Sequence, residues 1–324
     1  MKVFNDIAEA ARALPRPVIT IGNFDGVHLG HQAILSRLIG EARRLRTASL
    51  ALTFEPHPLR VLAPERCPPM IQIRRQKHEL LATLGLDGLL VYPFTPEFAR
   101  SEAELFVRQV LSGHLGIRGL VIGENFTFGQ HRRGGISLLR VLAAEIGFEL
   151  IALTESGPGE QEISSTRIRQ LLGQGLLPET ERLLGRPYAI IGQVVEGWKL
   201  GAKLGFPTAN IEAENHLLLP DGVYIASLER LGRRWEGVAS LGLRPSIPAA
   251  PGSDRERALE VHLLQDPGDL YGEAVQVHFH VLLRPQQCFE SLSGLQAQIA
   301  RDVEAARVFY REQSGPRLPV SANG

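Results

Sequence analysis

The sequence predicts an α/β domain built on a parallel sheet, followed by a small antiparallel β-barrel with a terminal helix. Up to about residue 184, short apolar runs alternate with segments whose apolar residues follow helical spacing, which is typical of α/β domains. From residue 185 onwards the runs are rich in β-branched residues, tend to alternate, and are separated by Gly, Pro and Asp turns. The segment from about 291 to 313 returns to helical spacing. We therefore expect two domains, residues 1–184 and 185–324.

Five apolar runs predict the strands of the first domain. They are PVITIG (17–22), ASLALTF (48–54), GLLVYPF (88–94), GLVIG (119–123) and FELIAL (148–153). Because the runs are apolar on both faces and helical patterns lie between them, they indicate a parallel sheet covered by helices on both sides. Ligands of such sheets bind at the carboxyl ends of the strands, so polar residues that follow these runs are candidate site residues.

The composition permits two cores and excludes several classes of protein. The 324 residues exceed one typical domain, and Lys+Arg and Asp+Glu are balanced at 35 each, which excludes a strong basic field for nucleic acid. The two cysteines, Cys67 and Cys288, have no CxxC partner, which argues against disulfides or a cysteine zinc site. Asp6 and Glu9 lie where a signal peptide needs apolar residues, and no run of 18 apolar residues occurs. We expect a cytoplasmic protein without a membrane or nucleic-acid partner, and oligomer formation is left open.

The stretch GNFDGVHLGHQ, residues 22–32, places two histidines between a predicted strand and a predicted helix. Backbone N–H groups and the helix dipole favour an anion at such a helix start. His28 and His31 can both donate ring N–H bonds to phosphate oxygens, and Gly30 between them lets a nucleotide approach the backbone. Phe24 can serve this site or belong to the core with equal justification.

Three further segments place polar side chains after predicted strands. TFEPHP (53–58) contains Glu55 and His57, VIGENFTFGQHRRGG (121–135) contains Asn125 with two aromatic residues, and ISSTRIR (163–169) opens a helix with hydroxyls and arginines. Each segment alone could be a turn, a hairpin or a helix cap. Because these segments and GNFDGVHLGHQ all follow strands of one domain, together they predict a shared phosphate site.

A second candidate site lies in GQVVEGWKLGAKLGFPTANI, residues 192–211. Thr208 and Asn210 are two residues apart in extended chain, so their side chains share one face. The preceding glycine-rich turn, with Gly197, Gly201 and Gly205, can offer backbone N–H groups to phosphates. Without further support this segment could be an ordinary turn of a barrel.

The motifs of the first domain resemble those of a known family. HxGH after the first strand with a late ISSTRIR is similar to the nucleotidylyltransferase superfamily. The fuller set GNFDGVHLGH, FEPHP, GENFTFG and ISSTRIR resembles the adenylyltransferase half of the prokaryotic bifunctional riboflavin kinase/FAD synthetase family. The resemblance implies a Rossmann-like sheet of nucleotidylyltransferase type, in which FMN attacks the α-phosphorus of ATP. No general base is required, because FMN already presents a phosphate dianion.

The resemblance also assigns roles to residues of this domain. His28 and His31 would stabilise the α-phosphate in the transition state. The β- and γ-phosphates would be held by Ser164, Thr166, Arg167 and Arg169. The other residues expected on the ATP side are Gly22, Phe24, Asp25 and Gly30. The residues expected on the flavin side are His57, Asn125, Phe126 and Phe128.

The second glycine-rich segment resembles the riboflavin kinase half of the same family. That resemblance implies that Thr208 and Asn210 contact Mg²⁺ and the ATP phosphates, and that Glu260, in ALEVHLL, is the general base toward the riboflavin 5′-hydroxyl. A base is needed because an alcohol must lose its proton to become a good nucleophile. Without the family match, Glu260 would equally suit the outward face of an alternating strand. The remaining expected residues are Gly201, Lys203 and Gly205 for ATP and Arg284, in LRPQQCF, for flavin.

This chain departs from many family members at a few positions in its second half. It has Ala202 in place of arginine, Ser240 in place of asparagine, and Pro285 and Gln286 in place of Asp-Glu. These changes leave the proposed kinase residues in place. We therefore expect both activities, with riboflavin, FMN, FAD and ATP as substrates or products and Mg²⁺ as cofactor.

Three alternatives remain open from the sequence. The barrel could be a non-catalytic flavin-binding or regulatory module attached to an FMN adenylyltransferase. The first domain could adenylylate a different phosphorylated acceptor, which would leave GFPTAN without a role. The barrel could also bind single-stranded nucleic acid, although its basic and aromatic residues adjoin mainly at Arg233, Arg234 and Trp235.

Overall fold

The computed structural model describes residues 1–130, 133–153, 163–197, 200–243 and 257–314, except for the side chains of Leu200, Lys203 and Ser314. The chain divides into two compact units, Met1–Arg167 and Ile168–Gly324. The boundary between residues 184 and 185 stays a prediction. No helix in the described parts of the chain is long and apolar enough to cross a membrane.

The first unit contains a six-stranded sheet in which all neighbouring strands are parallel. The strands are β1 (Lys2–Phe4), β2 (Val18–Ile21), β3 (Ser49–Glu55), β4 (Gly88–Pro93), β5 (Gly119–Gly123) and β6 (Glu149–Leu153). Their order is β1-β4-β3-β2-β5-β6. The parallel sheet is confirmed. The order reverses beside β2, and open α/β sheets bind their ligands at such a reversal.

Helices cover this sheet, and successive side chains of each strand point to opposite faces of it. The helices are α1 (Ile7–Ala13), α2 (Leu29–Arg44), α3 (Pro58–Leu62), α4 (Arg74–Thr83), α5 (Pro96–Ala99), α6 (Ala103–Leu105), which continues into a π-helical segment Phe106–His114, and α7 (Ile136–Ile146). A further helix, α8 (Ser165–Gly173), begins in the first unit and ends in the second. Val18 packs in one buried cluster with Leu35 and Leu38 of α2, whereas its neighbour Ile19 packs in the other with Phe106. Both faces of the sheet are therefore covered, as the apolar runs predict.

The second unit contains a closed barrel of six antiparallel strands. Its elements are α9 (Leu177–Leu184), β7 (Tyr188–Val195), α10 (Leu200–Lys203), β8 (Thr208–Ala213), β9 (Gly222–Arg230), β10 (Arg233–Leu243), β11 (Arg257–Leu263), β12 (Ala274–Pro285) and α11 (Leu292–Ser314). The strand order is β10-β11-β8-β7-β12-β9. The predicted barrel and terminal helix are both confirmed. Tyr224 and Phe279 are fully buried, with their rings in edge contact.

The terminal helix α11 packs against one outer face of the barrel. Val303 and Ala306 of this helix join the buried residues Val223 and Ile225 of β9. His280 of β12 adjoins two aromatic rings of α11, and its Nε2 lies 3.1 Å from Oγ of Ser227. The helix therefore shields polar as well as apolar side chains from water.

Candidate active sites

The two histidines of the first motif lie against each other at the start of α2. His28 is the N-cap residue of this helix, and its Nδ1 accepts the backbone N–H of His31 at 3.3 Å. The two rings stack with 3.6 Å between centroids and 17° between planes. Phe24 packs its ring against the edge of His31, with 5.4 Å between centroids. Since Nδ1 of His28 is an acceptor, the proton of its neutral ring lies on Nε2.

Burial lowers the pKa of His31 well below its usual value, and electrostatic interactions with His28 and Lys77 lower it further. Nδ1 of His31 is buried and finds no hydrogen-bond partner among the residues that the structure describes. His31 is therefore a neutral imidazole at neutral pH, with polar capacity left for a ligand oxygen.

Two glycines allow the close packing of this motif. A Cβ on Gly22 would lie 2.9 Å from Cε1 of Phe24, and a Cβ on Gly30 would lie 3.2 Å from Nδ1 of His28. Phe24 adopts a left-handed φ of 51° and is buried in the core cluster that contains Leu35. Phe24 therefore has a core position from which its side chain supports His31, and its contact with ATP stays a prediction.

Asp25 connects the first motif to two other segments. Its carboxylate accepts the backbone N–H groups of Ile71, at 3.1 Å, and of Gln72, at 3.3 Å. Its carbonyl oxygen accepts the Ser165 hydroxyl at 2.8 Å. Asp25 was expected on the ATP side, and these bonds let it position the motif through the backbone.

The ISSTRIR segment lies beside the HxGH motif. The carbonyl oxygen of Ile163 would be 3.5 Å from a Cβ on Gly30. Ser164 accepts the backbone N–H of Arg167 at 3.3 Å, which caps the start of α8. Thr166 is exposed, while Arg167 and Arg169 are half-buried. The sequence missed Ser165, whose bond to Asp25 joins the two motifs.

His57 links the second motif to the first. It is the N-cap residue of α3, and its Nδ1 accepts the backbone N–H of Leu59 at 3.2 Å. Its Nε2 lies 3.2 Å from the side-chain amide of Asn23. The contact is made by the amide nitrogen of Asn23, and it joins the segment after β3 to the segment after β2.

An aromatic surface extends from the strand ends of this unit. Phe126 and Phe128 stack with 5.4 Å between centroids and 20° between planes, and Asn125 beside them is exposed. Ring contacts continue from Phe128 through Phe106, Phe98, Phe94, Phe54 and Tyr92. Of these rings, only Phe126 and Phe128 were expected from the sequence, although TF and VYPF at the ends of apolar runs also place aromatic residues there.

Lys77 of α4 is a charged residue near this site that the sequence did not single out. Its Nζ lies 3.4 Å from the carbonyl oxygen of Asn23 and 3.5 Å from Oγ1 of Thr53. Burial lowers the pKa of Lys77, while the carboxylates of Glu55 and Asp25 raise it. Lys77 therefore places an ammonium group between the ends of β2 and β3.

The second site is assembled by three neighbouring strands of the barrel. Glu260 of β11 is paired with Asn210 of β8 on one side and with Ser240 of β10 on the other. The Thr208 hydroxyl lies 3.5 Å from Oε2 of Glu260. Asn210 is buried, whereas Glu260 is half-buried. The structure thus brings together the three residues predicted for the kinase reaction.

The glycine-rich turn closes tightly around these residues. A Cβ on Gly197 would overlap the Asn210 side-chain amide, and a Cβ on Gly201 would overlap the carbonyl oxygen of Phe206. Gly205 adopts a left-handed φ of 87°. The side chain of Lys203, expected to bind phosphate, lies outside the described part of the structure. The turn therefore needs glycine at these positions.

Two other residues of the barrel hold nearby segments in place. His262 donates from Nδ1 to the carbonyl oxygen of Pro207 at 2.8 Å, just before Thr208, and the sequence missed this contact. Arg284, expected on the flavin side, donates to both carboxylate oxygens of Asp302 in α11, with a shortest distance of 2.7 Å. Its guanidinium also lies 5.8 Å from the Phe289 ring centroid. The charge of Arg284 is therefore paired within the contact between β12 and α11.

Two family models match this chain and together cover most of it. Residues 11–167 match FAD synthetase, and residues 184–310 match riboflavin kinase. Residues 168–183 lie between the two matches.

The chain is also similar to bacterial proteins over nearly its whole length. It is 40% identical over 294 residues to the bifunctional riboflavin kinase/FMN adenylyltransferase of Escherichia coli, covering 90% of this chain and 92% of the relative. It is 36% identical over 311 residues to the protein of the same name from Haemophilus influenzae, covering 96% and 99%. A crystal structure described as a macrolide-efflux protein from Streptococcus pneumoniae superposes with a TM-score of 0.82 and 27% identity, covering 95% of this chain and 99% of that one.

Proposed function

The chain belongs to the family of bifunctional riboflavin kinases/FMN adenylyltransferases, and we propose which of its side chains carry each reaction. The enzyme transfers a phosphoryl group from ATP to riboflavin to form FMN, and it adenylylates FMN to form FAD and pyrophosphate. Riboflavin, FMN and ATP are its small-molecule substrates.

The adenylylation takes place at the HxGH motif. An oxygen of the FMN phosphate bonds to the α-phosphorus of ATP while the bond to the leaving pyrophosphate breaks. Because the nucleophile is already an anion, the protein has to position the groups and stabilise charge. The Nε2–H of His28 and the neutral ring of His31 donate to the α-phosphate oxygens, which the stacked geometry of the two rings supports.

The pyrophosphate and the flavin lie on different sides of that motif. The leaving phosphates contact the start of α8, through Ser164, Thr166, Arg167 and Arg169, with Gly22, Asp25 and Gly30 shaping the ATP side. The flavin ring packs on the aromatic surface that contains Phe126 and Phe128, with Asn125 and His57 as polar partners. The contact of His57 with Asn23 supports this arrangement, since it places His57 directly beside the first motif.

The phosphorylation takes place at Glu260 in the barrel. Glu260 accepts the proton of the riboflavin 5′-hydroxyl as that oxygen bonds to the γ-phosphorus of ATP and ADP leaves. Thr208 and Asn210 hold the phosphates beside this base, together with Gly201, Lys203 and Gly205 of the turn. The distance of 3.5 Å between Thr208 and Glu260 supports the proposal, because base and phosphate must meet at one oxygen. Arg284 serves the flavin side by anchoring the segment before α11.

Magnesium fits the oxygen donors of this second site. Thr208 and Asn210 offer neutral oxygens, and the described residues contain no group of three or more His, Cys, Asp or Glu suited to a metal. A site of this kind suits Mg²⁺, which keeps several waters and binds largely through substrate phosphates. When bound, Mg²⁺ neutralises phosphate charge during transfer.

We further propose a cytoplasmic enzyme without a nucleic-acid partner, with a domain boundary between residues 184 and 185. The balanced charge and the start of the riboflavin kinase match at residue 184 support these points. Appreciable RNA affinity in a filter-binding titration at low salt would contradict the proposal that the enzyme has no nucleic-acid partner.

The pairing of Asn210 with Glu260 carries the proposal for the barrel, and one time course tests it. Purified protein is incubated with riboflavin and ATP, with Mg²⁺ or with excess EDTA, and a parallel reaction starts from FMN. Chromatography should show FMN before FAD, and EDTA should stop both steps. Conversion of added FMN to FAD while riboflavin stays untouched would instead make the barrel a binding or regulatory module.

A further inference from the structure

We infer that Lys77 is a further catalytic residue of the adenylyltransferase site, where its ammonium group binds the phosphate of FMN. The inference rests on the proposed role of the HxGH motif. It assigns a role to a residue of α4 that belongs to none of the sequence motifs of the site.

The position of Lys77 is set by the ends of two central strands. Its Nζ lies 3.4 Å from the carbonyl oxygen of Asn23, which follows β2, and 3.5 Å from Oγ1 of Thr53, near the end of β3. Asn23 lies only five residues before His28 in the first motif. The ammonium group therefore lies near the carboxyl ends of the strands, where ligands of parallel sheets bind.

The ammonium group has capacity left for an anion. Both distances exceed the usual range of about 2.7–3.2 Å for such hydrogen bonds, and an ammonium has three N–H donors. Within the described ranges, Lys77 forms no salt bridge, although its side chain is half-buried. Burial lowers the pKa of Lys77 more than the carboxylates of Glu55 and Asp25 raise it, so an incoming phosphate would stabilise its charge.

The reaction needs a cation at this place. Catalysis brings the FMN phosphate dianion against the phosphates of ATP, and His31 is uncharged at neutral pH because burial lowers its pKa. A lysine acts on phosphate as a point charge. Lys77 thus supplies positive charge that the stacked histidines do not.

Its neighbours indicate that Lys77 faces FMN rather than ATP. On the proposed ATP side, the carbonyl oxygen of Ile163 would lie 3.5 Å from a Cβ on Gly30, and Ser165 donates to the carbonyl oxygen of Asp25. Lys77 instead contacts Asn23, which in turn contacts His57 on the flavin side. The phosphate of FMN links the flavin to the reacting centre, so it must pass this point.

The charged groups around Lys77 come from several elements. Burial lowers its pKa, Glu55 of β3 and Asp25 act to raise it, and Arg74 of α4 lowers it further. Lys77 in turn lowers the pKa of His31 on α2. This coupling gives a readout that depends on the charge of Lys77 and does not depend on activity.

The first experiment compares Lys77→Met and Lys77→Arg with the unmodified enzyme. Lys77→Met should lower kcat/KM for FMN by about 10- to 100-fold, the range for losing a hydrogen bond to a charged group, and should raise KM for FMN more than KM for ATP. Lys77→Arg, which keeps the charge, should retain more of this activity. Riboflavin phosphorylation in the same samples should stay unchanged, and Arg43→Met, at an exposed site near the end of α2, should match the unmodified enzyme.

The second readout is the pKa of His31, followed by NMR in the same variants. Removing the positive charge should raise this pKa in Lys77→Met but leave it low in Lys77→Arg. If FMN kinetics and the His31 pKa stay unchanged in Lys77→Met while His31→Ala loses FAD formation, the inference about Lys77 is wrong. If His31→Ala also retains full activity, the proposed site itself is wrong.

A third measurement uses the unmodified enzyme and so does not depend on how the variants fold. Lysines are acetylated with acetic anhydride, with and without FMN or riboflavin, and the modification of Lys77 is followed by mass spectrometry. FMN should slow the acetylation of Lys77, whereas riboflavin, which lacks the phosphate, should not. Equal acetylation with and without saturating FMN would overturn the inference.

Discussion

The imidazole rings of His28 and His31 lie face to face, with 3.6 Å between their centroids. Two imidazolium ions at this distance would repel each other strongly, so the pair cannot readily carry two charges. Burial reinforces this effect and lowers the pKa of His31. The pair therefore presents N–H donors of fixed orientation, which is the arrangement that stabilises charge developing on a phosphate.

Replacing His31 by alanine should remove FAD formation selectively. His31→Ala deletes one donor to the α-phosphate, and the loss of one such donor typically costs about 10²- to 10³-fold in rate. FMN formation from riboflavin should continue, because Glu260 lies in the other unit. Chromatography of the flavin products checks both rates. The exposed His114→Ala serves as the control, and FAD output from His31→Ala equal to that of the control would exclude His31 from the mechanism.

Gly197→Ala should impair the kinase reaction. A Cβ at this position would overlap the side-chain amide of Asn210, so the amide must move away from the phosphate site. We expect KM for ATP in riboflavin phosphorylation to rise at least about tenfold, a change equivalent to about 1.4 kcal/mol. Gly173→Ala is the matched control, because a Cβ there meets nothing within 4 Å. Equal riboflavin phosphorylation by Gly197→Ala and Gly173→Ala would contradict this prediction.

Breaking the ion pair between Arg284 and Asp302 should destabilise the second unit. Both side chains are largely buried, and Asp302→Ala leaves the Arg284 charge without its partner, which typically costs about 3–5 kcal/mol. Glu304→Ala breaks its exposed pairs with Arg307 and Arg311 on the same helix and should cost less than about 1 kcal/mol. Urea unfolding of the two variants measures the difference. Equal free energies of unfolding would show that Arg284 does not anchor α11.

The stability of the second unit should depend on pH through two histidines of β12. Burial, the positive charge of Arg234 and, for His280, the neighbouring His278 together lower the pKa of His278 and of His280 to about 4, although Glu229 acts to raise that of His278. The unfolded chain therefore binds protons that the folded chain does not, so the free energy of unfolding should fall as the pH drops from about 6.5 to about 4. The slope is at most about 1.4 kcal/mol per pH unit for each histidine. Below about pH 4 this contribution should level off.

The variant His280→Gln isolates this effect from that of the acidic residues. Glutamine keeps a polar partner for Ser227 but cannot gain the proton, so the unfolding free energy should lose less between pH 6.5 and pH 4 than in the unmodified protein. Chemical denaturation at several pH values provides the measurement. An identical slope in the variant would show that His280 is already protonated, or exposed, in the folded state.

Much of the fold follows from local patterns in the sequence. The five apolar runs correspond to β2 through β6, because strands buried on both faces need continuous apolar residues. Strand β1 could not be predicted, since Lys2–Phe4 has only 3 residues, too few to show the alternation of apolar and polar residues typical of a strand. Likewise Phe24 could not be assigned, because its core position depends on a left-handed turn that its own residue type does not indicate.

The candidate sites were predictable where they form motifs. His28, His31, Thr208 and Asn210 stand next to strand or helix ends, which sequence patterns can locate. Lys77 has no such signal, because it lies within the helix α4 and reaches the site only through the packing of that helix. The role of Asp25 is similar, since its bonds run to the backbone N–H groups of Ile71 and Gln72 and to the Ser165 hydroxyl, which no spacing rule predicts.

The most direct test is whether two variants, each lacking one of the two activities, together convert riboflavin to FAD. His31→Ala should make FMN but not FAD, and Glu260→Gln should convert added FMN to FAD but leave riboflavin untouched. Each variant alone, given riboflavin, ATP and Mg²⁺, should produce no FAD above a trace, and a mixture of the two should produce it after FMN appears. FAD formation from riboflavin by either variant alone at the normal rate, or none in the mixture, would contradict the assignment of one reaction to each unit.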